Sequence, residues 1–357
     1  MQTKGKWLYF NIHNLVRMRV EAGHASERSV RLAFGPFETG PLDQIDLTLQ
    51  YESPTIGEHS LASESYLFTN RHVYIKNYKL HLVNQENGYV LASNRDLLPF
   101  VMPVIQWLLL KKQHSFVHGA AIAIKGQGIL LPGWGGTGKT SAIIYLLKEL
   151  PDAAFLADDY TILSSDGHLL SFPKAFFIYP YHQQIFPHLF KAKHKPLVPS
   201  AFSGVLERIR TIVRPTIMAF PKLENFARRF TPEHMQVPAR NALPDAKFVD
   251  AVPLGSVLFI ERYSGDKTYI DELNLPQARS RLIGNWYYEQ GHCAQDLLLG
   301  AAGTGVMDYE TYFSGMALVI NAALAGKEIY RLRMGSLSPA QTGKAVRDAV
   351  VKVLGCH

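Results

Sequence analysis

Residues 133–140 read GWGGTGKT, so Gly133, Gly138, Lys139 and Thr140 occupy the defining places of GxxxxGK[ST]. That spacing suits phosphate chemistry. In such a loop successive backbone N–H groups turn inward, and the helix that follows adds partial positive charge at its amino terminus. Gly135, Gly136 and Gly138 let the backbone approach a phosphate closely, and Gly133 to Ser141, Thr137 included, form the expected binding stretch. Lys139 is expected to reach the outer phosphates of a nucleotide and the Thr140 hydroxyl to ligate Mg²⁺. Trp134 has two readings, a stacking platform for a base or substrate, or simple packing.

Two carboxylates follow. Asp158 and Asp159 end the apolar run AAFLA (Ala153 to Ala157), at the carboxyl end of a strand, where open α/β folds hold their ligands. Phosphoryl transfer to a hydroxyl uses one acidic group on the metal and another on the acceptor proton, and an adjacent pair can supply both. His118 opens the segment HGAAIAI, 21 positions before Lys139. Taken alone it reads as a packed histidine.

The elements around these residues are legible from pattern. GILLP (128–132) runs into the loop as a strand, SAIIYLLKEL (141–150) leaves it as a helix, and AAFLA is the next strand. Near-continuous apolar runs such as AAIAI (120–124) suit strands buried on both faces. Before them, residues 6–92 show short alternating segments, IDLTLQY and HVYIKNY among them, which predict a small antiparallel β region. Asp96 precedes LLPFVMPVIQWLLLKK, a helix with a proline disturbance and one apolar side. Later segments predict strands at 256–261 and 268–272 and a helix near 276–287. A final helix is capped by Ser338 with Gln341, its apolar face built from Val346, Ala349, Val350, Val353 and Leu354. The glycine-rich GAAGTGV (300–306) reads as a turn. The expected organisation is a β-rich amino-terminal domain, 1–95, then an α/β P-loop domain, 96–357, with a proline-rich basic insertion, 173–253.

From Val117 to Asp159 the sequence VHGAAIAIKGQGILLPGWGGTGKTSAIIYLLKELPDAAFLADD resembles the catalytic core of the bacterial HPr kinase/phosphorylase family. Four features carry the likeness in order: a His-Gly opening the first strand, an isolated glycine before the second, the phosphate loop, and Ala-Asp-Asp at the next strand end. The resemblance implies an α/β nucleotide-binding core of the HPr-kinase type that uses ATP and Mg²⁺ to phosphorylate a serine hydroxyl. It implies that His118 supports Asp158 as base, that Asp159 and Thr140 serve Mg²⁺, and that Lys139 serves the phosphates. The family's second signature, a glycine- and isoleucine-rich segment ending in aspartate after an arginine, has no counterpart in this chain, so the acceptor is left open as a protein or peptide serine. The family commonly assembles, which makes a homo-oligomer an expectation.

Composition bounds these readings. The 357 residues, 47% hydrophobic and 19% charged, describe an ordinary globular chain with ample length for a core. Cys293 and Cys356 stand far apart with no CxxC, which argues against structural zinc and for a reducing compartment. The longest apolar stretch, Leu97 to Leu110, is too short and interrupted for a bilayer span, and the polar residues of the first 14 positions do not suit a signal peptide. A cytoplasmic protein without membrane attachment is expected. A net charge of +7 favours anionic partners but is too dilute to demand nucleic acid. The basic residues Lys191 to Lys195, Arg208, Arg210, Arg214, Lys222, Arg228 and Arg229 could grip an acidic group or form a solvated face. There is no LSGGQ and no NKxD, so transporter ATPases and guanine-reading GTPases are disfavoured. Two other readings stay open: a small-molecule hydroxyl kinase or carboxykinase-like enzyme, and a non-catalytic nucleotide-sensing module.

Overall fold

The computed structural model describes residues 6–52, 54–55, 61–62, 64–190 and 234–354. Its strands are β1 (Trp7–Ile12), β2 (Val16–Glu21), β3 (Glu38–Thr39), β4 (Leu47–Gln50), β5 (Leu61–Ala62), β6 (Tyr66–Phe68), β7 (His72–Ile75), β8 (Leu80–Gln85), β9 (Gly88–Ala92), β10 (His114–Ile124), β11 (Gln127–Pro132), β12 (Ala153–Ala157), β13 (Tyr160–Ser164), β14 (His168–Leu170), β15 (Phe176–Ile178), β16 (Met235–Val237), β17 (Lys247–Phe248), β18 (Ala251–Arg262), β19 (Tyr269–Glu272) and β20 (Glu328–Met334). Its helices are α1 (Glu27–Phe34), α2 (Leu98–Leu110), α3 (Lys139–Glu149), α4 (Pro187–Phe190), α5 (Ala239–Ala242), α6 (Leu275–Glu289), α7 (Gly291–Gly303), α8 (Tyr309–Leu324) and α9 (Pro339–Leu354). The class is mixed α/β. Contacts divide the chain into one compact unit, residues 1–175 with 238–357, and a smaller one, 176–237.

In the larger unit the amino-terminal strands form one sheet in the order β3-β1-β2-β4-β9-β8-β7-β6-β5. It opens on a hairpin whose inward residues, Phe10, Ile12, Val16, Met18 and Val20, alternate with half-buried ones. His13 and Asn14 turn the hairpin in the left-handed conformation, at φ of 50° and 60°, with the Leu15 amide bonding the Ile12 carbonyl at 2.8 Å and Leu15 completing a three-residue loop before Val16. The sheet is not wholly antiparallel, because β2, β4 and β9 run parallel to one another. Between β2 and β4 the chain passes through α1 and through β3, which pairs with β1 at the sheet's edge, and between β4 and β9 it passes through β5 to β8.

Against this sheet lies α2. Every residue from Phe100 to Leu109 is buried, so the helix is enclosed all round rather than on one side. Its one buried polar residue there, Gln106, is satisfied by donating to Ser115 Oγ at 2.8 Å and accepting from the Phe116 amide at 2.6 Å. Phe10, Phe34, Leu91, Val101 and Ile105 belong to the same apolar cluster as Phe116, Phe172, Trp286 and Tyr312, so the first sheet and the central elements share a core.

The second sheet is mixed. β10 is antiparallel to both β11 and β12, while β11, β18 and β20 run parallel. Two long strands cause this. The first half of β10 pairs with β13 and the second with β11 and β12, and β18 likewise turns from β14 to β11 and β20. The pairings β10–β13–β14–β18–β11–β10 close a ring. The apolar runs read correctly as buried strands, but burial on two faces says nothing of direction.

The helices bracket this sheet. α9 carries the predicted cap, with the Ser338 amide donating to Gln341 Oε1 at 2.9 Å and the Gln341 amide to Ser338 Oγ at 3.3 Å, and it buries Val346, Ala349 and Val350. Gly343 of α9 packs close on Tyr145 of α3. Residues 300–303, read as a turn, instead finish α7, and α8, capped by Asp308, was not foreseen. The smaller unit contains the β15–β16 antiparallel pair and α4. The basic residues Lys191 to Lys195, Arg208, Arg210, Arg214, Lys222, Arg228 and Arg229 lie outside the described residues. Among the described residues no helix is long and apolar enough to cross a membrane.

Candidate functional site

The loop between β11 and α3 is the centre of the site. Gly136 and Gly138 take φ of 80° and 101°, and a methyl group on Gly138 would come within 2.5 Å of Thr342 Cγ2, so this position demands glycine twice over. Thr137 closes the loop on itself, its hydroxyl donating to the Trp134 carbonyl at 2.9 Å. Arg262, at the end of β18, fastens the loop from behind: Nε donates to the Thr137 carbonyl at 3.2 Å, Nη1 to the Gly335 carbonyl and Nη2 to Thr342 Oγ1, both at 2.7 Å. Ser141 is buried in the first turn of α3.

Lys139 is only 7% exposed, and its ammonium donates to the carbonyls of Gly133 at 2.6 Å and Trp134 at 3.0 Å. Burial lowers its pKa, against the opposing pull of Asp159 and Asp158. The charge therefore sits at the Gly133–Trp134 end of the loop. Trp134 is not packed in a core: it is 62% exposed and stacks on Tyr288, itself 67% exposed, with ring centroids 5.7 Å apart.

The two aspartates part company. β12 ends at Ala157, and the next two side chains turn to different elements. Asp158 Oδ2 accepts from Thr140 Oγ1 at 3.0 Å, while Oδ1 is buried with no hydrogen-bond partner among the described residues. Burial, and then the neighbouring charge of Asp159, push the Asp158 carboxyl up to about 6. Asp159 Oδ1 meets His118 Nε2 at 2.7 Å and Oδ2 accepts from Lys174 Nζ. Burial alone would raise Asp159, but Lys174, the His118 hydrogen bond and Lys139 together hold it well below the usual carboxylate range. His118 is thus paired with Asp159 and not, as the resemblance implies, with Asp158. The reason is the register: His118 lies opposite Tyr160 on β13, and the Gly119 amide bonds the Asp159 carbonyl at 3.0 Å, which brings the histidine alongside the second aspartate.

Four residues that sequence reasoning missed complete the site. Asn285 donates from Nδ2 to the carbonyls of His118 at 3.0 Å and Gly133 at 3.3 Å, which turns its Oδ1 toward His118 Nδ1 at 3.2 Å. Glu289 Oε1 accepts from the Gly135 amide at 2.8 Å and lies 3.8 Å from His118 Nδ1. Lys174 and Arg262 are the others. None belongs to a local motif: Asn285, Glu289 and Arg262 reach the site from 125 to 167 residues away, and Lys174 lies 15 residues beyond Asp159.

Chemically, the arrangement offers inward amides beside a buried ammonium for an anion and an oxygen pair, Thr140 with Asp158, whose unpartnered Oδ1 suits a small hard cation. It also offers a carboxylate oriented by a histidine and a lysine. Among the described residues no group of three or more His, Cys, Asp or Glu side chains converges as a metal site. No protein-family model matches the chain, and no curated protein matches it.

Proposed function

We propose that this protein is an ATP-dependent serine kinase that transfers the γ-phosphoryl group to a hydroxyl of a protein or peptide. One observation carries the reading: behind a GxxxxGKT loop, adjacent carboxylates are held in opposite states, Asp158 on the Thr140 hydroxyl with a raised pKa and Asp159 on His118 and Lys174 with a depressed one. Divergent environments of paired carboxylates separate two roles.

Thr140 and Asp158 would hold Mg²⁺, which when bound neutralises charge on the phosphates. The loop amides and Lys139 bind and orient the polyphosphate. Asp159 accepts the proton of the acceptor hydroxyl while that oxygen bonds the γ-phosphorus and the bridge to the β-phosphate breaks, leaving ADP. A low pKa is tolerable here, since phosphoryl transfer depends chiefly on positioning and electrostatics. His118 and Lys174 are positioning residues for that carboxylate. These roles exchange the two aspartates relative to the family pattern.

The test is γ-labelled ATP with Mg²⁺ and fractionated host lysate, comparing the natural protein with Lys139→Ala and Asp159→Asn. Serine label on a protein or peptide, lost in both variants, is the expected result. Label on metabolites alone would move the assignment to a small-molecule kinase, and ATP binding without any transfer to a nucleotide-sensing module.

A further inference from the structure

The last turn of α6 touches the glycine-rich loop at three successive points: Asn285 on the Gly133 carbonyl, Tyr288 on the Trp134 ring, and Glu289 on the Gly135 amide. Glu289 is the final residue of α6, and Gln290, next in the chain, also opens α7. The Glu289 carboxylate is held there by the loop amide, in a place where an inward N–H would otherwise meet a phosphate oxygen.

The end of the loop matters. A phosphate-loop lysine reaches the β- and γ-phosphates, and the Lys139 ammonium lies on the Gly133 and Trp134 carbonyls, next to Gly135. The Gly135 amide therefore belongs to the outer, γ-phosphate end. The amides at the start of α3 belong to the inner end. A diphosphate can occupy the inner end while Glu289 keeps its bond, whereas a triphosphate must displace it.

We propose that Glu289 is a specificity-determining residue that guards the γ-phosphate end of the loop, so that binding of a nucleoside triphosphate, but not of a diphosphate, requires its carboxylate to leave the Gly135 amide. The proposal rests on the nucleotide-binding reading above. Replacing the carboxylate by a carboxamide removes the charge that repels the incoming phosphate and leaves a neutral oxygen, a weaker competitor for the amide than a carboxylate.

Calorimetric titration of the full chain with MgATP and with MgADP tests it, using the natural protein, Glu289→Gln, Glu289→Asp and Lys139→Ala. Glu289→Gln is expected to tighten MgATP about tenfold, equivalent to about 1.4 kcal/mol, and to change MgADP by less than about twofold. Glu289→Asp, too short to keep the bond from the same backbone position, is expected to fall between the two. Equal shifts for both nucleotides, no shift, or weaker MgATP binding in folded Glu289→Gln would overturn the gate while leaving the nucleotide site intact. Absence of nucleotide binding in the natural protein and in both Glu289 variants would remove the nucleotide reading itself, and the gate with it.

Discussion

His118 Nε2 lies 2.7 Å from Asp159 Oδ1, on the carboxylate whose other oxygen accepts from Lys174, while Asp158 turns away to Thr140. Neighbours in the chain thus serve two different partners. Asp159→Asn should lower phosphotransfer by about 10² to 10⁴, the usual worth of a positioned proton acceptor, with MgATP affinity retained. Asp158→Asn should instead raise the Mg²⁺ concentration needed for half-maximal rate. Initial rates titrated with Mg²⁺ for both variants check the assignment, and a reversed pattern would return the base role to Asp158.

Gly138→Ala should abolish nucleotide binding and destabilise the fold. The left-handed backbone costs an alanine about 1–2 kcal/mol, and the added methyl would press on Thr342 Cγ2. Urea unfolding beside a binding isotherm measures both effects; full binding by the alanine variant would contradict the close approach described for the loop.

Arg262→Met should cost roughly 2–4 kcal/mol, since three carbonyl or hydroxyl oxygens lose a charged donor and the side chain's own stem packing is largely kept. The loss falls behind the loop, not in its mouth. Nucleotide affinity should therefore fall less steeply in Arg262→Met than in Lys139→Ala, as measured by calorimetry at a temperature where both are folded.

Acid should weaken the amino-terminal sheet through a histidine pair. His72 Nε2 and His81 Nδ1 lie 2.9 Å apart on β7 and β8, and burial lowers both, His81 to about 4 with His72 contributing. A base with its folded pKa below its unfolded value of 6.5 binds more protons when unfolded. Stability is then full above about pH 6.5 and is lost as pH falls toward 4, by at most about 3 kcal/mol for His81. Asp158, raised to about 6, contributes in the opposite sense over much of that window. Comparing urea midpoints of the natural protein and His81→Asn across pH 4–7 isolates the histidine: the variant should show the shallower acid loss.

By itself the sequence determined what local spacing can determine. GILLP, the glycine loop and SAIIYLLKEL had to follow as strand, turn and helix because their periods and the φ values open to glycine admit little else. The Ser338–Gln341 cap and the carboxylates ending β12 were legible for the same reason. α7 and α8 were not, since glycines at 300, 303 and 305 mask the end of one, and apolar residues around the other blur its face. The tertiary structure alone decided that β10 runs antiparallel to all three of its neighbours, that His118 meets the second aspartate, and that Asn285, Glu289, Arg262 and Lys174 converge on the site. Those outcomes depend on strand register and on which helix turn reaches which loop, contacts between segments as much as 167 residues apart, and no short-range pattern in the chain encodes them.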